Sequence, residues 1–203
     1  MLRLAGGAIC GIAAGIITGI GARVAMRMVA EGVPDPIRSI PMFTAEGTFV
    51  ILGLAALAGT PFGALFAAIY DALPGPRRAR GILFGVAMLV TIGPLFFSAG
   101  RDEFITYERM VLFSFLFPLF GVAAGLLLEP ALRVARRLPD LAQGLLVLIA
   151  FGGGALVATG IAGFIPEVVQ THGALAVAYA VPWLALLVVF ALRSLLSPAR
   201  LLR

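Results

Sequence analysis

Arg23, Arg27 and Glu31 follow one another at intervals of four residues. On an α-helix that spacing stacks them on adjacent turns, the row drifting by about 40° per step. Two guanidiniums one turn apart can hold a carboxylate or a phosphate through forked, bidentate hydrogen bonds. Two plainer chemistries fit the same row. Glu31, Glu46, Asp102, Glu103 or Glu167 could pair with the arginines in a structural network, or the long side chains could snorkel to a membrane interface. His172 lies with Glu167 in PEVVQTHG, a segment expected as a short outer loop, where an imidazole titrates near neutral pH or ligates a chlorin. Trp183 follows Pro182 inside an apolar run, so its indole N–H needs a buried partner such as Thr60, Thr91, Ser114, Thr159 or Tyr179. Arg23, Arg27, Glu31, Glu46, His172 and Trp183 form the candidate ligand-binding set.

Missing residue types close off much other chemistry. The 203-residue chain has no Lys, no Asn, one Cys (Cys10) and one His. Without Lys there is no Schiff-base chemistry, and one His with one Cys makes neither bis-His haem ligation, a zinc site of His and Cys, nor an internal disulfide. No phosphate-binding glycine loop, HExxH or GxSxG occurs. Neither a catalytic set, a metal set nor a cofactor is expected, and the chain reads as a non-enzyme. The net charge of +5 comes from arginines at the ends of apolar runs, where membrane topology accounts for them, so nucleic acid is not an expected partner.

The elements that must position the candidate set are membrane helices. With 61% hydrophobic and 12% charged residues, the chain has no share left for a water-soluble core. Six stretches free of Asp, Glu, Lys and Arg are each long enough to span, and none alternates with period two. The expected fold is all-α: a polytopic membrane protein with a single transmembrane helical domain over 1–203, spans at about 4–29, 47–70, 81–98, 110–128, 141–165 and 173–193, and a tightly packed, Gly-rich bundle. Ten arginines against Asp71, Glu129 and Asp140 fall on one side, which places both termini and the loops 71–80 and 129–140 in the cytoplasm of an inner-membrane protein. The first run is too long, and its start too weakly basic, for a cleaved signal peptide.

Gly7, Gly11, Gly15 and Gly19 carry the row of Arg23 back through the first span. Glycines at that spacing let helix backbones approach closely, so the ridge packs the bundle or serves a homo-oligomer or a partner membrane subunit. Pro61, Pro118 and Pro182 should bend spans 2, 4 and 6. A repeat relates Pro61, Gly63, Asp71, Leu73, an Arg cluster and Gly81 to Pro118, Gly121, Gly125, Glu129, Leu132, a second Arg cluster and Gly144. It implies that spans 2 and 3 repeat as spans 4 and 5. Six helices with both ends inside, short outer loops and a small-residue first helix are similar to the substrate-binding subunits of energy-coupling-factor vitamin transporters. The likeness is one of layout and implies no residue roles. The expected function is that of a solute-handling membrane protein, transporter-like or a substrate-binding subunit, taking a small anionic or amphipathic ligand toward the outer face. The alternative is a non-transporting structural or assembly subunit of a membrane complex.

Overall fold

A computed structural model of the chain describes residues 1–31, 44–99 and 107–172, and among these every regular element is helical. The helices are α1 (Leu2–Glu31), α2 (Ala45–Ile69), α3 (Arg77–Ala99), α4 (Tyr107–Ser114), α5 (Leu116–Ala135) and α6 (Asp140–His172), with a 3₁₀ turn at Tyr70–Ala72 after α2. Four stretches are long and apolar enough to cross a membrane: Leu2–Met28, Ala45–Ala72, Met110–Ala135 and Asp140–Gly160. The coarse expectation of a membrane helical bundle therefore holds. The sixth expected span, 173–193, lies outside the described residues, and so does Trp183.

Two boundaries differ from the sequence expectation. The fourth span is broken at Phe115 into α4 and α5, and the cause lies in Pro118. Proline has no N–H for the Ser114 carbonyl four residues earlier, and its ring crowds that turn. The fifth span does not stop before the expected loop, because Pro166 is accommodated within α6, which continues to His172. Glu167 and His172 are thus helical residues rather than loop residues.

The glycines define how the helices meet. In α1, a Cβ on Gly7 would strike Gly63 O, Ala64 Cα and Ala67 Cβ, one on Gly11 would strike Gly59 O, and one on Gly15 would strike Ala55 O. As the α1 numbers rise the α2 numbers fall, so α1 and α2 form an antiparallel hairpin held backbone to backbone. The ridge from Gly7 to Gly19 is covered by the chain's own second helix.

The same construction recurs in the next hairpin. A Cβ on Gly81 would strike Gly121 O, and one on Gly85 would meet Phe117 O and Pro118 Cα, as one on Gly11 meets Gly59 O and Thr60 Cα. The ion pairs repeat as well: Arg3 Nη1 to Asp71 Oδ2 at 2.8 Å in the first hairpin, Arg77 to Glu129 in the second. At one constant offset Arg3, Gly7, Gly11 and Gly19 match Arg77, Gly81, Gly85 and Gly93. At a second constant offset Phe62, Gly63 and Asp71 match Phe120, Gly121 and Glu129. The repeating unit picked out by packing is therefore α1–α2 against α3–α5, not spans 2–3 against 4–5, and Pro118 is equivalent to Thr60 rather than to Pro61. Both hairpins run in the same sense, which relates them by a pseudo-two-fold axis along the bundle.

The hairpins join asymmetrically. Helices α1 and α5 pack closely, with Gly6 against Leu132 and Gly21 against Leu116 and Leu119, and the Cys10 thiol donates to Ala124 O at 3.3 Å. The axis carries that contact onto Phe84 and Phe66, whose rings lie 5.0 Å apart between α3 and α2. Helix α6 lies over α2, α1 and α3, with Ala150 buried against Ala8 and Ala64. The end of the bundle that carries Arg3 is filled by the core around Cys10, Phe66, Phe84, Ala124 and Leu128.

Candidate functional site

At the opposite end the same four helices, with Phe113 of α4, line a half-open apolar cavity of about 430 Å³, which Val157 and Gly160 of α6 also border. Its walls come from equivalent positions of the two hairpins. Thr18 and Ala22 of α1 match Ile92 and Phe96 of α3; Ala55, Ala58 and Gly59 of α2 match Phe113, Leu116 and Phe117 of the α4–α5 segment; Phe62 faces its counterpart Phe120. The pseudo-symmetry axis thus runs through the cavity. One wall is built from small side chains and the other from large, mostly aromatic ones. Thr18 supplies the polar atom of the small wall, and its hydroxyl is engaged with Ala14 O at 2.8 Å. A guest in this space would meet almost nothing but hydrocarbon, and the volume lies in the range of small-molecule sites.

Arg23 stands one helical turn beyond Gly19 at the cavity's outer limit. It is buried, with 7% of its surface exposed. Its Nε and Nη2 donate to Thr48 Oγ1 at 3.2 and 3.1 Å, and Nη2 also donates to Thr44 O at 3.2 Å. Both acceptors belong to the first turn of α2, where the Thr44 side chain caps the helix by accepting from Gly47 N. A Cβ on Gly47 would approach Arg23 Nη2 to 3.3 Å, so the glycine leaves the guanidinium its place. The row that begins as a glycine ridge therefore ends as a polar tie between the end of α1 and the start of α2. Arg23 is also a cation beside a helix N-terminus, whose dipole is positive. That rim favours an anion, and Glu46 lies in the same first turn.

The other expected site residues are placed as follows. Arg27 is exposed one turn above Arg23, and Glu46 is exposed at the start of α2. Glu31 ends α1 and His172 ends α6, and the side chains of both lie outside the described residues, as does Trp183. The structure thus brings Arg23 to the turn that carries Glu46. Four of the hydroxyls considered as partners for Trp183 bond within their own helices, Thr60 to Leu57 O at 2.6 Å, Thr91 to Ala87 O at 2.8 Å, Ser114 to Met110 O at 2.7 Å and Thr159 to Ala155 O at 2.9 Å, and Tyr179 lies outside the described residues. The Thr60 bond has a particular use, because Leu57 O is the carbonyl that Pro61 leaves without its helical N–H.

Sequence reasoning missed the cavity's lining residues Phe96, Phe113, Phe117 and Phe120, and the threonines that hold Arg23. Aligning the two hairpins at their constant offsets would have exposed the cavity as a band of small residues opposite large ones. No protein-family model matches the chain, and neither curated proteins nor solved structures yield a match.

Proposed function

We propose that the protein is a solute-handling inner-membrane protein, not an enzyme, that binds an amphipathic anion such as a long-chain carboxylate or alkyl phosphate. The hydrocarbon part occupies the cavity between the hairpins, and the anionic head lies at the rim of Arg23 and Arg27. One observation carries the reading: an almost wholly apolar cavity on the axis between two repeated hairpins, with Arg23 and a helix N-terminus one turn beyond it and Arg27 a turn further. Membrane transporters built from repeats commonly place their sites at the repeat interface. Arginine counting puts the Arg3 end in the cytoplasm and the cavity toward the outer face, in a multi-pass chain with both termini inside.

The test is binding of radiolabelled oleate to protein in lipid nanodiscs, with methyl oleate as the neutral comparison. Saturable binding with preference for the acid is expected. Arg27→Gln should weaken that preference and Arg23→Gln/Arg27→Gln should abolish it. Ala58→Phe, which fills the small wall, should lower binding of both compounds. Absence of saturable oleate binding, or an Ala58→Phe variant that binds normally, overturns the proposal. Co-purification of a stoichiometric partner in place of oleate binding would favour an assembly subunit.

A further inference from the structure

The end of the bundle opposite the cavity carries more arginine than its own acids can neutralise. Of the three acids there, Asp71 is held by Arg3 and Glu129 by Arg77. Arg80 stacks over the Tyr70 ring at 4.7 Å and donates to Gly75 O at 2.9 Å. Exposed Arg78, Arg133, Arg136 and Arg137 remain, with Asp140 the one further acid among the described residues of this rim. Residues 173–203 contain no Asp or Glu.

Three of these arginines share one place. Arg133 lies in the last turn of α5, and Arg136 and Arg137 lie in the turn that follows, where their backbone N–H groups bond back to Leu132 O and Val134 O. The helix dipole favours cations at this C-terminal end. Leu119, Leu126, Pro130 and Arg133 fall within a stripe about 60° wide on α5 at 100° per residue. All four are exposed, Leu119 at 37% and Leu126 at 49%. One helix face therefore changes from exposed leucine to exposed guanidinium within two turns, the sequence of surfaces that a phospholipid presents from acyl chain to phosphate.

We propose that Arg133, Arg136 and Arg137 form a headgroup site for an anionic phospholipid whose acyl chains lie along the Leu119–Leu126–Pro130 face of α5. Juxtamembrane arginine clusters attract anionic headgroups, and the guanidinium fork suits a phosphate. The site is at the opposite end from the cavity and independent of what the cavity binds.

Native mass spectrometry of delipidated protein with equimolar phosphatidylglycerol and phosphatidylcholine tests it. The wild type should retain phosphatidylglycerol about tenfold in preference, and excess glycerol 1-phosphate should not displace it. Arg133→Gln/Arg136→Gln/Arg137→Gln should bind the two lipids equally. Arg3→Gln/Arg78→Gln/Arg80→Gln removes as many charges from the same rim and should keep the preference. The proposal is overturned if the wild type shows no preference, if glycerol 1-phosphate competes, if the α5 variant still prefers phosphatidylglycerol, or if the charge-matched variant loses the preference equally. Should the α5 Gln variant fail to fold, the triple Lys variant replaces it. It keeps the charge without the fork and should weaken the preference several-fold, and an unaltered preference overturns the site.

Discussion

Gly11→Ala should destabilise the protein, and Gly53→Ala, a chemically identical change on the partner helix, should not. A Cβ on Gly11 would fall against Gly59 O and C and reach Thr60 Cα at 3.0 Å. All of these are backbone atoms, so no rotamer change relieves the clash and α1 and α2 must separate. Overpacking of this kind costs about 1–3 kcal/mol, and the displacement extends along the hairpin because Gly7 and Gly15 make the same type of contact. A Cβ on Gly53 meets nothing within 4 Å, and Gly to Ala in an unobstructed helix gains up to about 1 kcal/mol. The two variants should therefore move the thermal midpoint in detergent in opposite directions, Gly11→Ala downward by roughly 2–12 °C at about 2–4 °C per kcal/mol. Gly81→Ala, which meets Gly121 O in the second hairpin, should behave like Gly11→Ala. Equal shifts for Gly11→Ala and Gly53→Ala, or a stabilised Gly11→Ala, would refute backbone contact as the basis of the hairpin.

Thr60→Val should destabilise by about 1 kcal/mol by stranding Leu57 O, and Pro61→Ala, which returns a helical N–H to that carbonyl, should remove most of the loss in the double variant; denaturant titration of the four proteins measures the coupling. Arg23→Gln should cost about 1.5–3 kcal/mol through its bonds to Thr44 O and Thr48 Oγ1, and hydrogen exchange should report the loss first at residues 45–48, an unchanged first turn of α2 counting against the tie. The Arg3–Asp71 and Arg77–Glu129 pairs, both substantially exposed, should each show a coupling of no more than about 1 kcal/mol in double-mutant cycles; a larger value would mean that the rim is drier than its exposure implies.

How far the sequence could be read depended on whether a feature was local or relational. The apolar runs and the row of glycines are local, and they yield the membrane helices and the close packing of α1. The end of α6 differs because the charge-free run ends at Glu167 whereas the helix continues to His172, and Pro166 costs a membrane helix only the bonds its neighbours fail to replace. Residue type alone pairs Pro61 with Pro118 and shifts the frame of the repeat. The contacts of Gly11 and Gly85 instead equate Thr60 with Pro118. Arg23 stands out in the sequence as a cation that needs an explanation, but its threonine acceptors lie more than 20 positions away and carry no distinguishing pattern. The cavity was illegible for a stronger reason. It exists because two equivalent sets of positions hold different side-chain volumes, and a volume difference has meaning only once the two sets are known to face each other.

That difference also accounts for where the hairpins part. Related by the pseudo-symmetry axis, Cys10 and Ala124 are small and let α1 and α5 approach, whereas Phe84 and Phe66 place two rings between α3 and α2. Side-chain size at the contact sets the interaxial distance within about 8–10 Å, and the separation held open by the rings continues outward as the cavity. Phe66→Ala/Phe84→Ala gives the second contact side chains as small as those of the first. If the rings act as a spacer, α2 and α3 should close by about 1–2 Å, measured by electron–electron resonance between spin labels at exposed positions 54 and 90 on a Cys10→Ala background. The stability loss should then fall well short of the roughly 3–5 kcal/mol expected for each truncated Phe that leaves its space unfilled, because the approaching helices remove that space. An unchanged label distance together with the full loss would show the rings to be filler between helices held apart by something else. The cavity would then owe its size to the lining residues alone.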